Sequence, residues 1–375
     1  MVVYDNLTTY SGAAGVGKTN RVLAWSPDVI VTYTRSAAAE ARSRLGTATR
    51  PEQAVGTIYS LAWPHQKITR AKRKGTIGPP LAYNQRRIRN ASDPALDLYS
   101  TKAPSKQPRT ENDRLARLLH AWDGTGDPPI DLGDAKPVGA MTYVLPLAQW
   151  IARGCPLDEA LRVPLTLAID EAQDVSALEL AACIGLCPGA EVRAYGDPGQ
   201  SLYAEAKGLT GSMLPAAWTS AAQVLELVGG WRVGNPVAQK AARVLKPYWT
   251  HDPKSFAAPG HGTEIRLWDP EQKPSGRGLV LSHGRDYAVK YARLWGLRNF
   301  AVVPADFTTK EDLIVCTAHA AKGAEADHVW LLPWSHPAMA QLGAKDSARL
   351  RLLYVAMTRA RKILFVPPAL FGEMG

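Results

Sequence analysis

The 375-residue sequence lacks any run approaching the roughly 20 apolar residues that a membrane-spanning helix needs. Its first residues, MVVYDNLTTYSG, do not have the pattern of a signal peptide. The eight histidines form no metal-binding pattern, and the cysteines, too sparse for a disulfide scaffold, show no zinc-binding spacing (Cys155, Cys183, Cys187 and Cys316). We therefore expect reduced thiols and a cytoplasmic protein.

The chain has little acidic charge in one long segment. Its formal net charge is +10, and its hydrophobic share of 46% is typical of a globular protein with room for two or three domains. Between Lys67 and Arg109, eleven basic residues, including Lys72, Arg73 and Lys74, face only Asp93 and Asp97, which gives this segment a net charge of +9. Phosphate backbones are the usual partner of such a patch, although a solvated basic loop punctuated by prolines is the alternative.

A glycine-rich segment, GAAGVGKT at 12–19, fits the phosphate-loop pattern G-x-x-x-x-G-K-[ST] at Gly12, Gly17, Lys18 and Thr19. Glycines let the backbone turn its N–H groups toward phosphate oxygens, and the following helix would begin at the phosphates. Lys18 would then reach the β- and γ-phosphates, and the Thr19 hydroxyl would ligate Mg²⁺. A chance glycine turn is the alternative.

A second motif, IDEAQD at 169–174, follows an apolar run that predicts a buried strand, Leu165–Ile169. Asp170 is suited to ligate Mg²⁺ directly or through water, and Glu171 is suited to act as general base toward the attacking water. An exposed acidic turn is the alternative, but it does not explain two carboxylates after a strand in a chain with a phosphate loop. The two motifs together predict a site for a nucleoside triphosphate, with ATP and Mg²⁺ as cofactors.

The alternation of apolar strand-like runs and amphipathic helices predicts an α/β protein with parallel sheets. A first series precedes residue 229 and a second follows it, while the proline-rich basic stretch from about Trp63 to Lys136 interrupts the first series. The predicted strands are Leu7–Tyr10, Val29–Tyr33, Ala54–Thr57, Leu165–Ile169, Glu191–Tyr195, Gln223–Leu227, Glu264–Trp268, Leu279–Ser282, Leu313–Thr317, His328–Leu332 and Ile363–Val366. The predicted helices begin at Lys18 or span Ala37–Leu45, Ser176–Leu186, Pro236–Leu245, Asp286–Leu294 and Asp346–Thr358.

The ordered series of motifs resembles the UvrD/PcrA/Rep-like branch of superfamily 1 DNA helicases, in a minimal, phage-type version. Six segments besides the phosphate loop and IDEAQD carry the resemblance: TYTRSAAAEARSRL (32–45), VGTIYSLA (55–62), YGDPGQSLY (195–203), GGWRVGNPVAQKA (229–241), CTAHAAKGAEADHVWLL (316–332) and LLYVAMTRARKILF (352–365). The resemblance implies two RecA-like P-loop motor domains, at 1–62 with 141–228 and at 229–375. It also implies that 63–140 is a small basic insertion in the first domain that contacts nucleic acid.

The resemblance assigns roles around the nucleotide. Gln200 would sense the γ-phosphate, and Arg232 and Arg359 would act as arginine fingers, which can be worth roughly 10³–10⁵ in rate. Asp197 would lie close to the metal, and Trp231 would stack on the base, although a lone tryptophan more often packs in a core. The nucleotide-binding residues would be Gly12, Ala13, Ala14, Gly15, Val16, Gly17, Lys18, Thr19, Trp231 and Glu325.

The resemblance also implies a track of single-stranded DNA, with duplex junctions as further partners. Aromatic faces stack on any base, which suits a sequence-blind motor, although core packing is an equally good interpretation of Tyr33 and Tyr59. The sequence KGAE at 322–325 favours 3′→5′ movement by family analogy. The resemblance further implies a monomer on DNA in a bacterial or phage-infected cell, with replication or repair proteins as partners. The DNA-facing positions would be Tyr33, Thr57, Tyr59, Tyr203, Thr317 and His319, besides Lys72, Arg73 and Lys74.

The sequence departs from the family's pattern at three places. No glutamine precedes the phosphate loop, since the first is Gln53, so other triphosphates are also candidate substrates. The run Ala204–Gly208 replaces the family's aromatic, Arg and Gly after QSLY, and its Glu205 can neither stack nor attract phosphate. Only about 75 residues separate the segment at 229–241 from the one at 316–332, which leaves no room for the large insertion of the bacterial enzymes.

Three functions are candidates for this sequence. The first is a translocase that unwinds duplex DNA. The second is a regulator or loader whose nucleic-acid-stimulated ATPase switches a replication or repair complex without unwinding. The third is a P-loop kinase or small-molecule NTPase, which the paired arginines Arg232 and Arg359 and the +9 segment disfavour. The sequence does not separate the first two.

Overall fold

The computed structural model describes most of the chain outside the basic segment. The described residues are 2–33, 35–46, 53–62, 111–133, 135, 141–155, 166–203, 207, 215–246, 251–258, 262–300, 303, 313–334 and 347–373. The basic cluster Lys72, Arg73 and Lys74 therefore lies outside the described residues.

The chain forms two compact units. The first comprises Met1–Thr9, Thr19–Tyr195 and Tyr203–Val224, and the second comprises Tyr10–Lys18, Gly196–Leu202 and Leu225–Gly375. The phosphate loop and the turn after Gly196 are thus grouped with the C-terminal half of the chain.

The first sheet has six strands in the order β3-β2-β4-β5-β1-β6. Strands β2, β3, β4 and β5 pair in parallel. Buried parallel strands carry near-continuous apolar runs, and VIVT of β2 is buried along its whole length. The strands are β1 Tyr4–Ser11, β2 Val29–Thr32, β3 Ala54–Thr57, β4 Thr166–Asp170, β5 Glu191–Gly196 and β6 Ala221–Glu226.

Six helices accompany this sheet in the described part of the chain. Helix α5 begins with a capping box, in which the Ser176 hydroxyl accepts from Glu179 N and the Glu179 carboxylate accepts from Ser176 N, so it starts where the sequence predicts. The helices are α1 Lys18–Trp25, α2 Arg35–Leu45, α3 Glu111–Ala121, α4 Met141–Ile151, α5 Ala177–Leu186 and α6 Ala216–Thr219.

In this unit, helices α3 and α4 and the four-residue α6 are missing from the sequence-based prediction. Helix α3 lies in the range interpreted as an insertion, yet it packs against α4 and α5, and its Leu119 is fully buried. Helix α4, MTYVLPLAQWI, is apolar and mostly buried even though it contains Pro146. A proline within a largely apolar run gives no 3.6-residue pattern, so the sequence carried no clear helix signal there.

The second sheet also has six strands, in the order β7-β12-β11-β8-β10-β9, and all its neighbours pair in parallel. All five residues of β8, GLVLS, are buried. The strands are β7 Glu264–Leu267, β8 Gly278–Ser282, β9 Asn299–Phe300, β10 Leu313–Thr317, β11 Ala326–Leu331 and β12 Ala360–Val366.

Five helices are described in the second unit, and the described helices α1–α11 include none with the length and apolar character that a membrane span requires. The predicted fold class, α/β with two parallel-sheet domains of the RecA-like type flanked by helices, is confirmed. Each predicted strand and helix overlaps an observed one. The helices are α7 Asn235–Leu245, α8 Pro253–Phe256, α9 Arg285–Leu294, α10 Ser347–Met357 and α11 Pro368–Glu373.

Candidate nucleotide and nucleic-acid site

The glycine-rich segment forms a tight loop between β1 and α1. Gly15 and Gly17 have φ values of +78° and +79°, in the left-handed region that favours glycine. A Cβ on Gly12 would lie only 2.7 Å from Val16 Cγ2. The loop path therefore depends on glycine at these positions, as the phosphate-loop interpretation expects.

The Lys18 side chain folds back over this loop. Its Nζ donates to Gly12 O at 2.7 Å and to Ala13 O at 2.9 Å. The ammonium is thus held against two backbone carbonyls of the loop.

The carboxylate of Asp197, in the turn after β5, is fully buried in the second unit and accepts hydrogen bonds from both backbone and side chains. Gly199 N donates at 2.9 Å and Gln200 Nε2 at 2.8 Å. His251 Nε2 lies 2.9 Å from Oδ1, and the Tyr354 hydroxyl donates to Oδ2 at 2.8 Å. Burial alone would raise the pKa of Asp197, but His251, Lys18 and Gln200 hold it well below its usual range.

Tyr354 joins this carboxylate to the phosphate loop. Its hydroxyl also accepts from Ala14 N at 3.1 Å, so one oxygen connects the loop with Asp197. The sequence-based prediction missed Tyr354 and His251. A tyrosine within the apolar run LLYVAM of α10 was a weak signal, and His251 carried none, because its partner is 54 residues away.

Arg359 follows α10 and is buried in the second unit. Its Nη2 lies 3.3 Å from Gln200 Oε1, and its Nε donates to Val355 O at 2.9 Å. Gln200, predicted to sense the γ-phosphate, and Arg359, predicted to be an arginine finger, are therefore in contact. A chain of hydrogen bonds runs from Ala14 through Tyr354, Asp197 and Gln200 to Arg359.

Trp231 and Arg232 lie beside the glycine-rich loop and beside Glu325, respectively. Trp231 is 76% exposed, so the core alternative for this residue is wrong. Its backbone N donates to Gly15 O at 2.9 Å, which places the residue beside the phosphate loop. Arg232 is ion-paired with Glu325, and Arg361 also approaches Glu325 at 3.7 Å. Arg232 and Glu325, both predicted to act at the nucleotide, thus lie together.

In the first unit, the two predicted metal ligands lie together. The Thr19 hydroxyl donates to Asp170 Oδ2 at 2.9 Å, and Asp170 is buried at the end of β4. One hydroxyl and one carboxylate suit Mg²⁺, which keeps water and substrate phosphate oxygens as its other ligands. The described residues hold no group of three or more His, Cys, Asp or Glu that could bind a metal by themselves.

Glu171 adopts a left-handed backbone conformation with φ 60° and ψ 39°. A non-glycine residue there is uncommon and marks strain that often accompanies function. The Gln173 side chain donates to the Glu171 carboxylate and so fixes its orientation.

The positions predicted to face nucleic acid are described in both units. In the first, Tyr33 stacks on Tyr203 with ring centroids 5.0 Å apart, and the Tyr59 hydroxyl donates to Glu179 Oε1 at 2.6 Å. Thr57 hydrogen-bonds locally with Ser60. All these side chains are half-buried.

In the second unit, Thr317 Oγ accepts from Ala320 N at 3.2 Å, which closes the turn after β10. His319 is half-buried in the same turn. Burial and then the positive charge of Lys322 lower the pKa of His319 to about 4, so this ring is neutral near pH 7.

Comparison with known families bears on the second unit. Residues 303–369 match the family model described as the UvrD-like helicase C-terminal domain. The match shows that this region is similar to a UvrD-like helicase C-terminal domain. It confirms the resemblance to UvrD-like helicases of superfamily 1, and the matched range contains Thr317, Glu325, Tyr354 and Arg359.

Solved structures similar to this chain include viral helicases of low sequence identity. The arterivirus nonstructural protein 10 helicase is 14% identical (TM-score 0.42; 97% of this chain and 60% of that chain), and its complex with DNA is 13% identical (TM-score 0.43; 98% and 63%). The PRRSV helicase is 18% identical (TM-score 0.42; 96% and 52%). This chain thus spans less than two thirds of their length. No curated protein sequence matches it.

Tyr354→Phe tests the hydrogen-bonded chain around Asp197. The variant keeps the ring but leaves Ala14 N without this acceptor and Asp197 without one donor, so we expect the free energy of unfolding to fall by about 1–3 kcal/mol. Urea titration followed by circular dichroism measures it. Tyr291→Phe, whose ring packs on Trp295, is the matched control. Equal stability of both variants would show that the Tyr354 hydroxyl contributes nothing.

Proposed function

We propose that this chain is an ATP-dependent translocase on single-stranded DNA that unwinds duplex DNA in the 3′→5′ direction. The observation that carries the proposal is the hydrogen-bonded chain from Ala14 in the phosphate loop to Arg359 in the UvrD-like domain. Such a chain links the loop that holds a triphosphate to the arginine that responds to it. The domain boundaries 1–62 with 141–228, 63–140 and 229–375 are part of this proposal.

In this proposal, the glycine-rich loop and Lys18 hold the β- and γ-phosphates. The Thr19 hydroxyl and Asp170 would hold Mg²⁺, which neutralises charge on the phosphate oxygens. Glu171 accepts a proton from the water that attacks the γ-phosphorus, and ADP leaves with inorganic phosphate as the second product.

The remaining residues respond to the γ-phosphate. Gln200 and Arg359, already in contact, neutralise the charge of the transferring phosphoryl group. Arg232 must exchange Glu325 for phosphate to act as a second arginine finger. The exposed indole of Trp231, beside Gly15, offers a face for a base, and stacking alone accepts several bases.

The nucleic-acid side of the proposal rests on aromatic and basic residues. The rings of Tyr33, Tyr59 and Tyr203 supply faces for bases in the first unit, and Thr317 and His319 add polar contacts in the second. The basic segment, including Lys72, Arg73 and Lys74, supplies positive charge for phosphates. Its net charge of +9 favours a nucleic-acid motor over a small-molecule NTPase.

Lys18→Ala and Glu171→Gln separate nucleotide binding from hydrolysis. We expect Lys18→Ala to lose both, because the phosphates lose their cation, and Glu171→Gln to bind ATP normally but turn over at least about 10²-fold more slowly. Equilibrium binding of a fluorescent ATP analogue and phosphate release measure the two quantities. Glu191→Gln, an exposed carboxylate on β5, should behave as wild type. Loss of ATP binding in Glu171→Gln would make Glu171 a structural residue.

Tailed duplexes separate a helicase from a loader. We expect ATP-dependent strand separation of a duplex with a 3′ single-stranded tail and little with a 5′ tail, with Glu171→Gln as the inactive control. Separation of only the 5′-tailed substrate would reverse the proposed direction. DNA-stimulated hydrolysis without separation of either duplex would favour the regulator or loader.

A further inference from the structure

The first unit contains a buried carboxylate that the proposed ATPase chemistry does not use. Glu179, in the first turn of α5, is 1% exposed. Its Oε1 accepts from the Tyr59 hydroxyl, and its Oε2 accepts from Ser176 N at 2.8 Å and forms an ion pair with Lys207. Both oxygens are therefore fixed by named partners.

Lys207 is the other half of this pair and is 6% exposed. Besides Glu179, its Nζ donates to Asp174 O and lies 4.5 Å from the centroid of the Tyr33 ring. A buried ammonium paired with carboxylate, carbonyl and aromatic face cannot also bind a phosphate backbone. We therefore expect Lys207 to act through the residues that it contacts.

Those residues include two aromatic pairs. Tyr33 stacks on Tyr203 at 5.0 Å with an interplanar angle of 28°. Tyr59 packs on Tyr143, with centroids 5.5 Å apart, and Tyr143 on α4 is 37% exposed. Lys207 contacts Tyr33 of the first pair and Glu179 contacts Tyr59 of the second, so the ion pair holds one ring of each pair directly and reaches the other ring through it.

The same ion pair touches the end of the IDEAQD motif. Lys207 donates to Asp174 O, and Tyr203 N lies 3.4 Å from Asp174 Oδ1. Asp174 N in turn donates to Glu171 O at 3.0 Å. A continuous path of hydrogen bonds thus runs from the tyrosines to the residue proposed as general base.

Stability alone does not account for such a pair. Apolar residues of similar volume are often as stable as a buried ion pair, because desolvation offsets the attraction. Burial would raise the pKa of Glu179, but Lys207, His120 and the hydrogen bonds from Lys207 and Ser176 N hold it at about 2, so the carboxylate is charged near pH 7. What the pair adds is a fixed geometry for the groups it joins.

We propose that the Glu179–Lys207 ion pair is a positioning element that presents the four tyrosines to the bases of a single-stranded nucleic acid and joins them to the Glu171 turn. Tyr143, which no sequence motif assigned, is an additional base contact. The inference rests on the proposed nucleic-acid-stimulated ATPase and names the residues through which stimulation passes. Bases stacked on the rings restrain Tyr33 and Tyr203, and through Lys207 and Asp174 they restrain Glu171.

The double variant Glu179→Gln with Lys207→Met tests the coupling without leaving an unpaired buried charge. We expect the ratio of DNA-stimulated to basal ATP hydrolysis to fall at least about 10-fold. The slope of DNA affinity against salt concentration should stay at the wild-type value, because a buried Lys207 releases no counterion. Glu111→Gln with Arg114→Met, which removes an exposed ion pair on α3, is the matched control.

Three outcomes would overturn the inference. One is a folded double variant with the wild-type stimulation ratio, and another is a smaller salt slope, which would make Lys207 a phosphate contact. If circular dichroism shows that the double variant does not fold, Tyr59→Phe decides, because it removes only the hydroxyl that Glu179 accepts. For Tyr59→Phe we expect about a 3-fold lower ratio of DNA-stimulated to basal ATP hydrolysis. An unchanged ratio in this variant would be the third outcome that overturns the inference. Failure of the proposed function differs from all three, since wild type and control would then also lack stimulation.

Tyr143→Ala tests the additional contact. We expect affinity for oligo(dT) to fall about 10-fold with an unchanged salt slope, because a stacking face is lost and no cation is. Leu118→Ala, an apolar side chain 39% exposed on α3, is the control for loss of exposed apolar surface. Wild-type affinity in Tyr143→Ala would remove Tyr143 from the contact surface.

Discussion

The buried carboxylate of Asp197 is the constraint on which the second unit's site depends. An unpaired charge at full burial is prohibitively costly, so its donors must stay in place. Those donors include Gln200 and Tyr354. Because both are held by Asp197, Gln200 is also held beside Arg359, and the Tyr354 hydroxyl is held where it accepts from Ala14 N. The arrangement of these residues beside the glycine-rich loop is thereby set by the requirements of one carboxylate.

In the first unit, too, a buried carboxylate fixes the residues around it. Glu179 is satisfied by Lys207, Ser176 N and the Tyr59 hydroxyl, and these partners reach the tyrosines on one side and the Glu171 turn on the other. In both units a buried charge outside the strands fixes residues that come from distant parts of the chain. Side chains held in this way need little reorganisation when a ligand arrives.

The described strands other than the two-residue β9, the glycine-rich loop and the nearness of Thr19 to Asp170 were predictable from sequence, because local patterns and strand ends determine them. The exposure of Trp231 was predictable only from the family resemblance. Tyr354, His251 and Lys207 were not predictable, since their partners lie between 28 and 340 residues away and no local period records such pairings. Helix α4 was not predicted, because Pro146 lies within an apolar run.

Steady-state ATP hydrolysis by the purified chain, with and without single-stranded DNA, tests the central claim most directly. The account predicts hydrolysis that single-stranded DNA stimulates at least about 10-fold, since the bases and the Glu171 turn are joined. A parallel assay with RNA identifies the preferred polymer. Hydrolysis that neither polymer changes would contradict the account and would leave an NTPase that nucleic acid does not drive.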